Sequence, residues 1–345
     1  MQYYYRIRIR GLEPLVFRRP TEFVAAVHGP SVTSLSLDYP WPSTIAGALA
    51  AEAYRRGLCS PTRCENENSI YADLHECLSE LLGDNFHLYT GLALHRRRGI
   101  LYYTPLGFLD REGLKVYVDD PEHAKTRDVK ARAITIPRIS RTGIALRRNT
   151  KTVQHGYLYT IEMVDPLSAD LEYLAIAAVK KSSIKLPSKT VSTFGGERKM
   201  AIIGIESLEE RKFEETFILG DSKCNKWRLV LLAPALLDEW PQGWNPPLLD
   251  EENAKHIARR LTHGINATIV YVPKTSPTIE VITPGWCTLE ERPRKPTPYI
   301  PPGTIIEVKA DKNTIEHIVA EGIGVETKLG WGTLAAICTI QSQRS

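Results

Sequence analysis

A chain of 345 residues with 43% hydrophobic and 24% charged side chains is sized for about two globular domains and is too apolar for wholesale disorder. Its longest apolar run, Leu229 to Leu237, has nine residues with Pro234 among them, against about 20 for a bilayer span, and Met1 to Arg6 lacks the apolar centre of a signal peptide; a cytoplasmic protein is expected. The formal net charge of +4 excludes a globally basic nucleic-acid binder, so any such surface must be a local concentration of charge.

The first predicted strand, Gln2 to Leu12, alternates Tyr3, Tyr5, Ile7 and Ile9 with Tyr4, Arg6, Arg8 and Arg10, a period of two with one basic face. A helix follows at Ser43 to Arg56, with Ser43 as N-cap, a close-packing run from Ile45 to Ala51 and Gly57 as its stop. An inserted helix is expected over Ser69 to Leu82, and strands at Ile100 to Thr104, Lys115 to Val118 and Tyr157 to Val164. A helix at Ala169 to Lys181, the pair Gly195-Gly196 and a strand at Met200 to Glu206 complete the first half. The acidic stretch Glu206 to Glu215 and the polar Asp221-Ser222-Lys223 read as a separator.

Beyond it come a strand at Trp227 to Ala233, a helix at Glu251 to Thr262, and strands at Ala267 to Val272, Ile279 to Ile282 and Ile305 to Ala310. A short helix at Thr314 to Ala320, the glycines 322, 324, 330 and 332, and a strand at Thr333 to Ile340 close the chain. Each half reads β-α-β-β-α-glycine loop-β, the ferredoxin-like plan. The expectation is therefore an α+β protein of two ferredoxin-like domains, residues 1–208 with a helical insertion and an extended basic hairpin, and residues 222–345 with a glycine-rich loop.

Thr126 to Lys151 holds Arg127, Lys130, Arg132, Arg138, Arg141, Arg147, Arg148 and Lys151 against the single acid Asp128, a local charge of +7. A charge run is ordinarily a solvated face. Here the arginines are spread among Ile134, Ile136, Ile139, Ile144 and Leu146 at strand-like spacing, and the planar guanidinium suits phosphate and base stacking, so the window is read as RNA-binding through Arg138, Arg141, Arg147, Arg148 and Lys151. Arg18-Arg19, Arg96-Arg97-Arg98 and Arg198-Lys199 add further cations.

Glycine-rich turns commonly serve backbone geometry alone. Gly195 and Gly196 beside Arg198 and Lys199, and Gly322, Gly324, Gly330 and Gly332 around Lys328, nevertheless set backbone amides next to cations, which suits phosphate oxygens. Neither stretch is a Walker A loop, which sets aside ATP binding by that route.

Six cysteines, at 59, 64, 77, 224, 287 and 338, are too few and scattered for a small secreted scaffold. Cys59, Cys64, His75 and Cys77 depart from the two-residue knuckle of a zinc site. Buried or free thiols are the plainer reading, and a Cys59–Cys64 disulfide, of a kind tolerated inside hyperthermophiles, is another. Five Gln and three Met lean towards a thermophilic source. No His-x-Glu, His-Glu-x-x-His or paired-Asp motif is present, so no catalytic residue, metal or cofactor is assigned. His28 beside Gly29 would serve as a general base for metal-independent RNA cleavage, but an ordinary loop histidine is the simpler expectation, and His155 is expected to be structural or RNA-contacting.

Pro14-Leu15-Val16-Phe17-Arg18-Arg19-Pro20, the helix opening Pro42 to Leu49 and the terminal Gly330-Trp331-Gly332-Thr333-Leu334 resemble CRISPR-associated RAMP proteins. The segment Arg141 to Thr152, followed by His155-Gly156-Tyr157-Leu158-Tyr159 and by Phe194-Gly195-Gly196-Glu197-Arg198, is similar to the third-subunit family of type III-B (Cmr) effector complexes. Val153-Gln154-His155 stands where that motif carries acids, and Cys59 to Asn85 is longer than the motif helix requires. The resemblance implies a non-catalytic subunit that holds the 5′ handle of CRISPR RNA and joins the large polymerase-like subunit to the backbone RAMP filament. Three alternatives stand beside it: a metal-independent CRISPR RNA-processing endoribonuclease, the equivalent subunit of a type III-A complex, and a scaffold whose basic window meets acidic protein.

Overall fold

The structure, a computed structural model, describes residues 2–18, 33–123, 129, 132–146, 153–180, 184–239, 251–273 and 280–339. Its elements in chain order are β1 (Tyr3–Gly11), β2 (Thr33–Ser34), α1 (Pro42–Arg55), α2 (Ala72–Leu82), β3 (His87–His95), β4 (Gly99–Thr104), β5 (Gly107–Leu109), α3 (Arg111–Asp119), β6 (Arg138–Leu146), β7 (Val153–Val164), β8 (Leu171–Val179), β9 (Lys189–Thr193) and β10 (Met200–Leu208). They continue with α4 (Glu210–Phe217), β11 (Ile218–Leu219), β12 (Lys226–Leu231), β13 (Ala235–Leu236), α5 (Glu251–Leu261), β14 (Ala267–Tyr271), β15 (Glu280–Ile282), β16 (Trp286–Cys287), β17 (Arg292–Pro293), β18 (Thr297–Ile300), β19 (Ile305–Lys309), α6 (Lys312–Glu321) and β20 (Leu334–Cys338).

Two sheets organise this mixed α+β chain. One has seven strands in the order β5-β4-β3-β8-β1-β10-β9, and the other five in the order β11-β20-β12-β19-β14. Their centres repeat one arrangement: the first long strand of each half, β1 or β12, lies between β8 and β10 or between β19 and β20, antiparallel to both. The next strand, β3 or β14, pairs outside β8 or β19.

The alternation of β1 explains its place. Ile7 and Ile9 are fully buried against α1, while Arg6, Arg8 and Arg10 point to the other face. Burying such a side chain is worth about 1.5–3 kcal/mol, which fixes the register. In α1, Ile45, Leu49 and Ala53 repeat every four residues on the buried face, and Gly57 follows the helix with φ +68°. Ser43 is not the N-cap. That position is Trp41, Pro42 opens the first turn, and the Ser43 hydroxyl instead donates to Pro284 O at 3.1 Å.

Three elements differ from the sequence expectation. Lys115 to Val118 is part of helix α3, whose N-cap Asp110 accepts from Gly113 N at 2.8 Å and whose Leu114, Tyr117 and Val118 form one buried face. Ala169 to Lys181 is not a helix but contains β8, a strand paired on both sides and buried along nearly its whole length. A strand covered on both faces shows no alternation, so its alanine-rich run imitates a helix. The first half consequently has no second helix between its third and fourth central strands among the described residues; β9 and its turn occupy that stretch. Finally, the supposed separator contains α4, whose Phe213 and Phe217, four residues apart, enter the core beside Tyr4 and Tyr89.

A single buried cluster draws on both halves, from Tyr89, Leu92 and Ile176 to Trp227, Leu229 and Ile306. The seam is tied by polar contacts as well. Thr90 N and Oγ1 bond Thr333 Oγ1 and Gly330 O at 3.1 and 2.8 Å, and Arg228 bonds the carbonyls of Val118 and Asp119 at the end of α3. Arg294, 4% exposed, grips Asp73 through two bonds of 2.9 and 2.7 Å and lies over the Tyr71 ring. Glu326 accepts from Ser69 Oγ and Ile70 N and meets His75 Nε2 at 2.7 Å.

All six cysteines are paired, as Cys59–Cys77, Cys64–Cys287 and Cys224–Cys338. This corrects both the Cys59–Cys64 pairing and the zinc quartet considered from the sequence. Cys64 is joined to a residue 223 positions away, and His75 is engaged by Glu326. Cys64, Cys287 and Glu290 group their donor atoms closely, but the two sulfurs are bonded to each other.

Candidate nucleic-acid interface

The basic window forms a hairpin. β6 and β7 pair antiparallel from Arg138 opposite Val164 to Leu146 opposite Val153. Arg147, Arg148 and Lys151, expected along the same basic ridge, lie outside the described residues, as do Arg19 and His28; β7 contains His155. The hairpin base is fastened to the segment after β1: Leu15 and Val164 exchange two backbone hydrogen bonds of 2.8 Å. Arg138 pins the same base, reaching Asp38 at 2.8 Å, Glu162, and Ser36 O at 3.2 Å. Its charge is compensated by two carboxylates, so it acts chiefly as an anchor. Arg141, further out along the strand, is exposed and forms no ion pair among the described residues.

Sheet register carries three other basic segments to this same end. His95 lies opposite Leu171, Ile9 opposite both Tyr173 and Ile203, and Ala201 opposite Ser192. The β3–β4 turn, the exit of β1 and the β9–β10 turn therefore sit side by side. In the last of these, Gly195 adopts φ +80° with its Cα so close to Val16 that an added Cβ would stand 2.5 Å from the Val16 carbonyl oxygen. Gly196 N donates to that oxygen at 2.8 Å. The pair thus packs the turn onto Val16 and Phe17, which leaves Arg198 exposed and Lys199 largely buried. Arg18 is salt-bridged to Glu197, and Lys199 to Glu13 at 2.6 Å. The Lys199 hydrogen bond, with a smaller contribution from Arg141, holds the Glu13 carboxyl below its usual pKa. Arg198 is exposed and makes no ion pair among the described residues.

Four further arginines belong to this end. Arg96, Arg97 and Arg98 occupy the β3–β4 turn, where His95 Nδ1 accepts from the N–H groups of Arg97 and Arg98 at 3.2 and 3.1 Å. Arg98 reaches Arg132 O at 2.8 Å. All four are exposed, and none meets a carboxylate among the described residues. The triple arginine was visible in the sequence; its adjacency to Arg132 depends on the fold.

The second set of candidate glycines lies elsewhere. Gly322 N bonds Ile318 O at the end of α6, Gly330 N bonds Thr327 O, and Gly332 N bonds Pro234 O, so these three amides are spent within the chain. Gly332 has φ +65°, and an added Cβ would fall 1.8 Å from Ile323 O. Gly324 lies against Leu236 O, and Gly330 against Thr90 of β3. Lys328 is exposed, with its charge felt at His87, at the opposite end of β3 from His95 and about 26 Å away at the usual strand rise. The fold therefore separates the candidates into a basic end, with Arg18, Arg138, Arg141, Gly195, Gly196, Arg198 and Lys199, and a seam, with Gly322, Gly324, Lys328, Gly330 and Gly332.

The family described as CRISPR-associated protein (Cas_Cmr3) matches residues 90–339. The protein of Saccharolobus solfataricus named CRISPR system CMR subunit Cmr3 is 25% identical over 218 residues, covering 62% of this chain and 68% of the relative. A chain in the cryo-EM structure of the type III-B Cmr-beta bound to cognate target RNA superposes with a TM-score of 0.56 at 18% identity, covering 95% of this chain and 96% of that one. A second such structure, with cognate target RNA and AMPPnP, gives 0.56 at 17% identity and covers 96% and 99%.

Proposed function

Since the chain belongs to the Cas_Cmr3 family of CRISPR-associated proteins, we propose that it is a non-catalytic subunit of a type III-B effector complex that holds the 5′ handle of CRISPR RNA. The observation that carries this reading is the hairpin β6–β7, fastened beside the β1 exit and the Gly195–Lys199 turn so that Arg141, Arg198 and the Arg96–Arg98 turn stand on one end of a rigid sheet. Single-stranded RNA is held by cations that follow its backbone and by splayed bases, and such an end offers the first of these. Gly195 and Gly196 then serve by shaping the turn that presents Arg198, while Arg147, Arg148 and Lys151 extend the grip along the hairpin.

The two central sheets support a pair of ferredoxin-like domains, residues 1–208 and 222–345, the first having exchanged its second helix for β9. In this reading the chain joins the large polymerase-like subunit to the backbone RAMP filament through surfaces away from the hairpin. No helix among the described residues is long and apolar enough to cross a membrane. In the assembled complex, Arg147→Ala with Arg148→Ala weakens handle binding by at least about tenfold, because charge-assisted hydrogen bonds contribute about 1.5–3 kcal/mol each. Wild-type affinity and salt dependence in that variant would refute the reading. Site-specific cleavage of repeat RNA by the purified chain without metal would replace it with the endoribonuclease alternative.

A further inference from the structure

The seven-stranded sheet has a second basic feature, on the face turned away from α1 and beyond the part covered by the other half. Arg8 of β1 lies directly opposite Gly204 of β10, which lies directly opposite Lys189 of the edge strand β9. Residues opposite one another in an antiparallel sheet share a face. This row therefore reads cation, gap, cation. The neighbouring row is Arg10, Ile202 and Val191, the last 46% exposed. All of these but Val191, together with Glu172, Ser188, Ile205 and Glu206, line a groove of about 300 Å³, and Val191 lies beside it, opposite Ile202 on the edge strand.

Nothing in the backbone requires glycine at 204. It has no positive φ, and an added Cβ would meet only Ser188 O, at 3.9 Å. Glycine in mid-strand weakens a sheet and marks places where another group approaches closely. The charges are unevenly compensated as well. Glu172 holds Arg8 at 2.8 Å and Glu206 holds Arg6 at 3.3 Å, whereas Arg10 and Lys189 are exposed and meet no carboxylate among the described residues.

We infer that this groove is a binding site for the phosphodiester backbone of single-stranded RNA, with one phosphate seated over Gly204 between Arg8, Arg10 and Lys189 and the adjoining nucleoside resting on Ile202 and Val191. The inference rests on the reading of the chain as an RNA-holding subunit and adds a site that neither the hairpin nor the glycine turns supply. Continuity favours RNA over an acidic protein: Arg10 stands at the exit of β1, where the hairpin base and the Gly195–Lys199 turn also lie, so one strand passes from the basic end onto the sheet face.

The test uses the full chain and a labelled oligouridylate, with binding followed by anisotropy over a range of salt. Gly204→Val fills the groove while keeping every charge, and its melting temperature should equal or exceed that of the wild type because a β-branched residue suits a strand. Its affinity should fall about tenfold, as should that of Arg10→Gln with Lys189→Gln. The double variant should also lower the salt slope by about 0.7, the contribution of the one single-strand phosphate that is no longer neutralised. Wild-type affinity in folded Gly204→Val, or in the double variant should Gly204→Val not fold, overturns the inference. So does unchanged RNA binding alongside lost binding of polyglutamate, which would assign the groove to acidic protein. If Arg141→Gln with Arg198→Gln weakens binding and the groove variants do not, this site alone is refuted; if the wild-type chain binds no oligouridylate, the RNA-holding reading falls with it.

Discussion

The two glycine stretches look chemically alike in the sequence, each a cluster of glycines with lysine or arginine beside it, yet the fold gives them opposite surroundings. Gly195 to Lys199 turns at an open end of the seven-stranded sheet among exposed arginines. Gly322 to Gly332 closes the seam between the halves, with Gly330 and Gly332 buried and their amides bonded to neighbouring carbonyls. A glycine next to a cation is thus ambiguous until the partner of its N–H is known. By that test both stretches serve packing, since Gly196 N is bonded to Val16 O and Gly195 lies against the same carbonyl; what differs is their setting, exposed arginines around the turn and the buried seam around the loop.

The largest expected effect tests the seam loop. Gly332→Ala combines a left-handed φ of +65° with a Cβ placed 1.8 Å from Ile323 O, so it should cost about 4 kcal/mol or more and yield little soluble protein. Gly196→Ala, where the added Cβ meets Val16 Cγ1 at an ordinary 3.4 Å, should leave the melting temperature near the wild type. Equal melting temperatures for the two variants would erase the distinction between the loops.

The disulfide across the seam comes next. Cys64–Cys287 closes a long loop and joins the segment before α2 to β16. Cys64→Ser with Cys287→Ser should destabilise by about 2–4 kcal/mol in chemical denaturation while leaving RNA affinity unchanged. Loss of RNA binding in a folded variant would mean that the seam and the basic end are coupled.

A smaller change isolates the open loop. Arg141→Gln with Arg198→Gln removes two exposed cations that have no carboxylate partner among the described residues, so folding should be unaffected. RNA affinity should fall about tenfold, near 1.4 kcal/mol, measured by anisotropy at fixed salt. Arg138→Gln should instead lower stability, since it removes the guanidinium that ties Asp38, Glu162 and Ser36 O together at the hairpin base.

Much of this arrangement could be read from residue order alone. The alternation of β1 placed Ile7 and Ile9 inside and its arginines outside, and the strand-like spacing of isoleucines marked β6. Two kinds of information were missing. β8 is buried on both faces, which removes the alternation that separates strand from helix, and its alanines then argue for the wrong element. The pairing of Cys64 with Cys287, and the placing of Arg98 against Arg132, depend on contacts between distant parts of the chain that no local pattern encodes. For the same reason Arg138 read as an RNA ligand: its two carboxylate partners lie 100 and 24 residues away.

The smallest effect concerns Lys328, the cation of the seam loop. Burial, and then the charge of Lys328, push the His87 imidazole down from 6.5 to about 4. Above pH 6.5 the ring is neutral in both folded and unfolded chains, and the neutral ring stacks on Tyr89 with centroids 4.6 Å apart. Between pH 6.5 and 4 the unfolded chain binds a proton that the folded chain does not, so stability falls as the pH is lowered through this window. A shift of that size fully expressed is about 3 kcal/mol, and screening of a partly exposed ring reduces it to the order of 1 kcal/mol. His87→Gln should flatten that part of the stability–pH curve, measured by denaturation from pH 7 to 4. Lys328→Ala should move the fall to higher apparent folded pKa and so make it shallower, without altering RNA affinity. If Lys328→Ala leaves the curve unchanged and weakens RNA binding, the lysine faces nucleic acid and the two glycine loops are alike after all.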